Sequence, residues 1–550
     1  MQRPVVVLRA LALGAVLALV ATACGSEKGT TGGQTGGAKQ GGTIVFAASS
    51  DPVSLDPAFI SDGESIRITN QIYEGLVKTK AGGTEIEPSL AKSWAASNNA
   101  TSWTFDLQEG VKFHDGTAFN AAAVCANFDR WYNFKGVLQS DSVTYYWVSV
   151  FGGFSDKKNP SLYKSCEAKD DKTAVINLNQ PSASFIAALS LSSFSVQSPE
   201  ALRKYDADKV SGTAEEPKFE SEYGLAHPTG TGALKFESFA ANDKTVLARN
   251  DDYWGQKAIL DKVIFRTIPD LAARRQALEA GEIQGYDNAD PSDVEALKAN
   301  YQVLQRPAFN VAYVGFNQKK KPLDNPMIRQ AIAHALNRDA LIKAKYPAGS
   351  QVANEFMPPE VFGYNENVTK YDYDPDKAKQ LIAESGVKNP AIEFWYPTSI
   401  SRPYMPDPQA NFQAFKADLE KVGFKVTPKS APWRPDYLNA VQSGGAPVYL
   451  FGWTGDYGDP DNFVGVFFQQ PSAQWGFDNQ AIFSALNDAE KETDESKRTE
   501  LYKAANEQIM QFLPGVPYAH TGPFLVFAKN VKGYVPSPVT TELFATVSLG

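Results

Sequence analysis

Three short patterns in this 550-residue chain have the composition of a serine acyl-enzyme: Ser89-Leu-Ala-Lys92, Tyr286-Asp-Asn288 and His520-Thr-Gly522, in that order. In such a site a serine attacks a carbonyl and a neighbouring amine takes its proton. Each pattern is short enough to arise by chance, the gaps between them are long, and Ser89 follows Pro88 in a polar stretch that reads as surface. No G-x-S-x-G, H-E-x-x-H or G-x-x-x-x-G-K-[ST] sequence occurs, so common hydrolase and nucleotide-binding chemistries lose their signatures. The four histidines, at 114, 227, 334 and 520, are not spaced as a metal pair on a helix or beside a cysteine. A protein that binds rather than reacts is expected, with no cofactor and no metal.

The elements that would carry a binding site alternate between strand and helix patterns from Thr43 onward, which predicts an α/β fold. Residues 42–48 form a β-branched run after glycines, and 103–107 alternate with period two. Apolar residues at three- and four-residue steps predict helices over 327–344 and 375–385, the second capped by Asp374 with Pro375 in its first turn. Irregular, proline-containing stretches at 305–310 and 512–521 are candidates for paired crossings between two lobes, a natural hinge.

The N-terminus reads as a secretion leader: Arg3 and Arg9, then an uncharged run from Ala10 to Ala23 that is too short to span a bilayer. It ends in Val20-Ala21-Thr22-Ala23-Cys24, which resembles a bacterial lipobox with Cys24 as the lipidated first residue of the mature chain. Residues 25–42 contain eight glycines and form an expected tether, about 20–25 Å in mean reach. Loss of the two leader arginines takes the formal charge from −9 to −11, which argues against nucleic acid as a partner. The one basic run, Lys319-Lys320-Lys321, reads as a solvated turn. With Cys24 lipidated, Cys125 and Cys166 remain, and export favours a disulfide between them; two separate buried thiols are the alternative.

Several blocks, in order, resemble the family 5 solute-binding proteins of ATP-binding cassette (ABC) importers, nearest to the dipeptide- and oligopeptide-binding members. They are Gly83-Thr-Glu-Ile-Glu-Pro-Ser-Leu-Ala-Lys-Ser-Trp94 with Gly110-Val-Lys-Phe-His-Asp-Gly116, His227-Pro-Thr-Gly-Thr-Gly232 with Arg249-Asn-Asp-Asp-Tyr-Trp-Gly255, Phe316-Asn317 with Ile328-Arg-Gln-Ala331, and Tyr373-Asp-Pro375. Two more, Ser401-Arg-Pro-Tyr404 and Gly452-Trp-Thr-Gly-Asp-Tyr-Gly-Asp-Pro-Asp-Asn-Phe463, resemble the blocks that hold the ligand. By position the resemblance gives Arg402 the peptide carboxylate and Asp456 the α-ammonium, with Tyr457 where the pattern has Asn.

The resemblance implies a two-lobed periplasmic-binding-protein type II fold: a first domain of 43–82, 222–305 and 521–550, an inserted domain of 83–221, and a third domain of 306–520. It implies an exported, lipid-anchored monomer at the outer face of the cytoplasmic membrane that closes on a short peptide and delivers it to a permease with a separate ATPase. Physical chemistry supports the two charged residues: a zwitterion entering a closed cleft loses water at both ends, so each end needs an opposite charge. The planar fork of Arg suits a carboxylate, and Asp is an acceptor for an ammonium. Trp453, Gly455, Tyr404, Tyr145, Tyr146 and Ser61 are the expected remainder of the cleft, with Asp459 and Asp461 shaping the loop. The alternatives are a non-peptide solute on the same fold (oligosaccharide, nickel chelate, haem, opine) and, remotely, an acyl-enzyme of penicillin-binding type built on Ser89 and Lys92.

Overall fold

The computed structural model describes residues 40–156, 160–214, 216–398 and 400–550. The expected leader, Cys24 and the tether up to residue 39 therefore lie outside the described residues. From residue 40 onward the described chain forms one compact unit organised around three larger sheets.

The β-branched run Thr43–Ala48 lies at the centre of a seven-stranded sheet, parallel to Lys262–Thr267 and Gly285–Ala289. Its inward side chains, Ile44 and Phe46, are wholly buried. A second, five-stranded sheet runs in the order Lys425–Pro432, Ala391–Thr398, Val448–Thr454, Asn310–Phe316, Gly515–Ala519. A third is antiparallel and contains Ala91–Ser97, Ser102–Leu107, Thr173–Leu178 and Tyr163–Ala168. The alternation read at 103–107 falls in its second strand. The disulfide Cys125–Cys166 ties the helix Ala121–Tyr132 to the strand Tyr163–Ala168 of this layer. Each sheet has its own apolar core, so the molecule is two-lobed: the first and third sheets belong to one lobe and the five-stranded sheet to the other.

The helix Pro375–Glu384 begins as its sequence dictates, with the Asp374 carboxylate accepting from the backbone N–H groups of Asp376 and Lys377. The single helix expected over 327–344 is instead two, Pro326–Ala335 and Arg338–Lys345. Leu336 is extended at ψ 117°, and Asn337 caps the second helix by accepting from the Ala340 N–H at 3.1 Å. The apolar spacing carries through the break because Leu336 and Leu341 are both buried, which hides the cap. Lys319, Lys320 and Lys321 are exposed in a turn.

The chain passes between the lobes at 306–309 and 520–523, and the two passages are bonded to each other. The Arg306 N–H donates to the Pro523 carbonyl at 3.0 Å, and the Asn310 side chain brackets Thr521 through both its amide groups. A Cβ on Gly522 would lie 2.4 Å from the Arg306 carbonyl oxygen, so this close approach needs glycine. Pro517 lies inside Gly515–Ala519 rather than in the crossing; that strand is at a sheet edge, where a missing N–H is tolerated.

The acyl-enzyme pattern does not assemble. Ser89, expected at the surface, is buried, and Lys92 lies in the extended strand Ala91–Ser97 paired with Asp106 at 3.3 Å and Glu109 at 3.7 Å. Extended backbone carries residues three apart by about 10 Å, whereas the chemistry needs one helical turn between them.

Candidate ligand-binding cleft

In the five-stranded sheet, Ala391–Thr398 and Val448–Thr454 are parallel neighbours, with Phe394 opposite Val448 and Trp395 opposite Tyr449. Both therefore end on the same side, where the crevice outside the carboxyl ends of parallel strands is the usual ligand site of an α/β sheet. The segments that leave these ends carry Arg402 and Asp456.

Arg402 is held by a tight turn in which its N–H and that of Met405 donate to each other's carbonyls at 3.1 and 2.9 Å. Its guanidinium lies 4.5 Å from the centroid of the Trp433 ring, a cation–π contact that fixes the plane of the fork. The buried Nε has no hydrogen-bond partner, and no described carboxylate is within ion-pair distance. Arg402 lines a cavity of about 70 Å³ together with Asn288, Asp290 and Pro523, groups from the opposite lobe and from the crossing. A positive charge is thus oriented with no ion pair among the described residues, and Asp290 is the acid that shares its cavity.

Asp456 is the complementary case. Its N–H donates to Asn462 Oδ1 at 2.7 Å, Asn462 Nδ2 reaches its Oδ2 at 3.4 Å, and the Tyr146 hydroxyl donates to Oδ1 at 2.9 Å. Burial nevertheless dominates and pushes the carboxyl up to about 6, the hydrogen bonds from Tyr146 and Asn462 opposing it. Burial and the adjacent Asp456 charge in turn push the Tyr146 phenol well above its ordinary range. Tyr146 lies on the helix Tyr145–Phe151 of the other lobe, so this bond spans the cleft. Beside it Tyr145 meets Tyr146 edge-on at 5.1 Å and Trp453 at 6.3 Å, which makes an aromatic wall from both lobes.

The remaining expected residues take different places. Gly455 serves packing: a Cβ there would lie 2.3 Å from the Phe309 ring, and its N–H donates to the Phe309 carbonyl at 2.9 Å. Tyr404 is buried beneath the cleft, its ring so close over Gly452 that a Cβ would meet it at 2.3 Å. Ser61 is exposed, next to Asp62, which caps the helix Gly63–Ile72 and whose charge reaches Tyr146. Asp459 shapes the loop by accepting from the Asp461 N–H at 2.9 Å and also pairs with both outer nitrogens of Arg498 at 2.5 and 2.8 Å. Sequence reasoning missed Trp433 and Asn462. Asn462 sits in the same block as Asp456, six residues on, and a search for amide partners of the carboxylate within that block would have found it.

The family described as bacterial extracellular solute-binding proteins, family 5 (middle), matches residues 85–475. Heme-binding protein A of Haemophilus influenzae is 33% identical over 517 residues, covering 92% of this chain and 92% of that protein. The dipeptide-binding protein of Escherichia coli is 32% identical over 525 residues, covering 93% and 95%. Among solved structures, the ABC transporter-associated periplasmic binding protein DppA from Helicobacter pylori, in complex with the peptide STSA, superposes with a TM-score of 0.79 at 32% identity, covering 93% of this chain and 98% of that one. With two sheets joined by paired crossings, a cleft at the ends of parallel strands and a match over most of its length, the chain belongs to the family 5 extracellular solute-binding proteins.

Proposed function

We propose that this solute-binding protein captures short peptides by closing its lobes around them and delivers them to the permease of an ABC importer. The observation that carries the reading is the pair of unneutralised charges at the ends of two adjacent parallel strands, the Arg402 guanidinium and the Asp456 carboxylate. They match the two ends of a peptide zwitterion, and the aromatic wall of Tyr145, Tyr146 and Trp453 accepts side chains of many kinds. Closure is favoured because only the closed form contacts the ligand from both lobes. The lipobox-like sequence at Cys24 supports attachment to the membrane, and the passages of the chain between the sheets at 306–309 and 520–523 support domain boundaries near 305 and 520.

Haem is the second reading, since a heme-binding protein and a dipeptide-binding protein are related to the chain at nearly equal identity. The side chains favour the peptide. Haem brings two carboxylates and no ammonium, so Asp456 would face like charge. His114, His227 and His334 lie outside the segments that build the cleft, and His520, in the second crossing, is buried with Nδ1 at 2.6 Å from the Asn310 carbonyl and Nε2 without a partner among the described residues.

Titration calorimetry with a dipeptide, its N-acetyl form and its C-terminal amide, from pH 5 to 8, tests the proposal. Either blocked form should bind about a hundredfold more weakly or worse, because one buried protein charge is left unpaired. The pH arm has a definite sign. The ammonium needs ionised Asp456, whose carboxyl in the ligand-free protein sits at about 6, so protons compete with peptide. Affinity should be level above pH 7 and fall toward roughly tenfold per unit well below 6. Equal binding of free and acetylated peptide would sink the assignment of Asp456.

A further inference from the structure

A second set of contacts joins the lobes through groups other than the cleft charges. The helix Gln480–Lys491, in the lobe of the five-stranded sheet, presents Glu490 to the segment that follows the strand Thr173–Leu178 in the other lobe. Ser182 and Ser184, both buried, donate to Glu490 Oε1 at 2.7 and 2.8 Å, and the Ala183 N–H donates to the Glu490 carbonyl at 3.0 Å. Behind this contact Glu490 Oε2 accepts from Arg498 at 3.0 Å, and Arg498 also holds Asp459. Asp461 Oδ1 is buried nearby without a partner. Three carboxylates thus face one guanidinium, and the charged and titratable groups around them, Tyr457 and Tyr502 included, supply no second cation. The hydroxyls of the opposite lobe provide the donors that Arg498 alone cannot.

The same loop crosses the boundary with an apolar side chain. Tyr457 follows Asp456 directly, yet it is buried and belongs to the apolar core of the third-sheet layer. Gly458 abuts Thr84 so closely that a Cβ would lie 2.7 Å from its Oγ1. One short loop therefore carries a cleft carboxylate, a side chain inserted into the other lobe, and the Asp459 that anchors Arg498.

We propose that Ser182, Ser184 and Glu490, with Tyr457 inserted beside them, form a latch that holds the lobes together without ligand and thereby sets the apparent affinity of the cleft. The latch rests on the two-lobed fold and not on the ligand being a peptide. Opening replaces its bonds by water, and a hydrogen bond to a charged group is worth about a tenfold shift or more in such an equilibrium. Apparent affinity scales with the fraction of protein in the competent form, so the latch tunes binding from outside the ligand's contacts.

Small-angle X-ray scattering of the purified protein without ligand, comparing wild type with Ser182→Ala/Ser184→Ala and with Tyr457→Ala, tests this. Far-UV circular dichroism checks that each variant is folded. The closed-to-open ratio should drop by about ten- to hundredfold in the serine pair, seen as a larger radius of gyration. Tyr457→Ala should move the same way. Superimposable curves for wild type and the folded serine variant would overturn the latch. If no dipeptide binds, the peptide reading fails while the scattering comparison still decides this one.

Discussion

Replacing Asp456 with Ala should lower dipeptide affinity by two to three orders of magnitude or more, while leaving the protein as stable as before or slightly more so. The affinity loss follows from stranding an ammonium in a closed cleft, about 3–5 kcal/mol for one partner of a buried pair. The stability effect has the opposite sign because the carboxylate is an unpaired burden without ligand. Burial pushes it up to about 6 even with Tyr146 and Asn462 bonded to it, so ionisation at neutral pH is resisted by its surroundings. A purely structural Asp would behave otherwise, since its removal would lower the melting temperature. Calorimetric titration and thermal unfolding of the same variant separate the two cases. The variant should also lose the ability to distinguish free from N-acetylated peptide.

Arg306→Ala should cost about 3–5 kcal/mol of stability, the largest loss expected from a single substitution at the crossings. Arg306 is buried at the start of the first passage, with Nε 2.5 Å from Glu542 and a second nitrogen 3.3 Å from Asp287. Asp287 also pairs with Arg67, which in turn holds Glu64 at 3.2 Å. Burial alone would raise the Asp287 carboxyl, but Arg67 and Arg306 bring it down to about 2. Without Arg306 the Glu542 carboxylate loses its ion-pair partner in the core, and the anchor of the hinge to the C-terminal segment goes with it. Because the folded value of Asp287 is depressed, its stabilisation is complete above its unfolded value of about 3.9 and is lost as pH falls toward 2. Urea unfolding at neutral pH measures the effect. A loss below about 1 kcal/mol would mean the network does not anchor the crossing.

The parts of the structure legible in the sequence were those set by local rules. Asp374 and Pro375 announce a helix start because capping is a contact over two or three residues. Thr43–Ala48 reads as a strand because it is a short β-branched and apolar run after glycines, and Ile44, Phe46, Ala47 and Ala48 are buried in the middle of a sheet. The break at Leu336 was hidden because buried apolar spacing continues across it, while the Asn337 cap is a single short contact. Arg402 and Asp456 were reached through the resemblance of their blocks and not through composition, since a lone Arg or Asp is usually a surface charge. Tyr145 and Tyr146 stood out only as an aromatic run. That the Tyr146 hydroxyl meets Asp456, 310 residues on, depends on how the lobes come together. The same holds for Ser182 and Glu490, which lie 308 residues apart and show no local signal of their pairing.

Thermal unfolding in the presence of candidate ligands tests the central claim most directly. A ligand present at about a hundredfold over its dissociation constant adds about 2.7 kcal/mol to stability. Free dipeptides should raise the unfolding temperature, while N-acetylated dipeptides, malto-oligosaccharides, nickel with histidine, and haem should leave it unchanged. A rise with haem, sugar or metal chelate and none with any free peptide would contradict the account, keeping the fold but removing Arg402 and Asp456 as the receptors of a zwitterion.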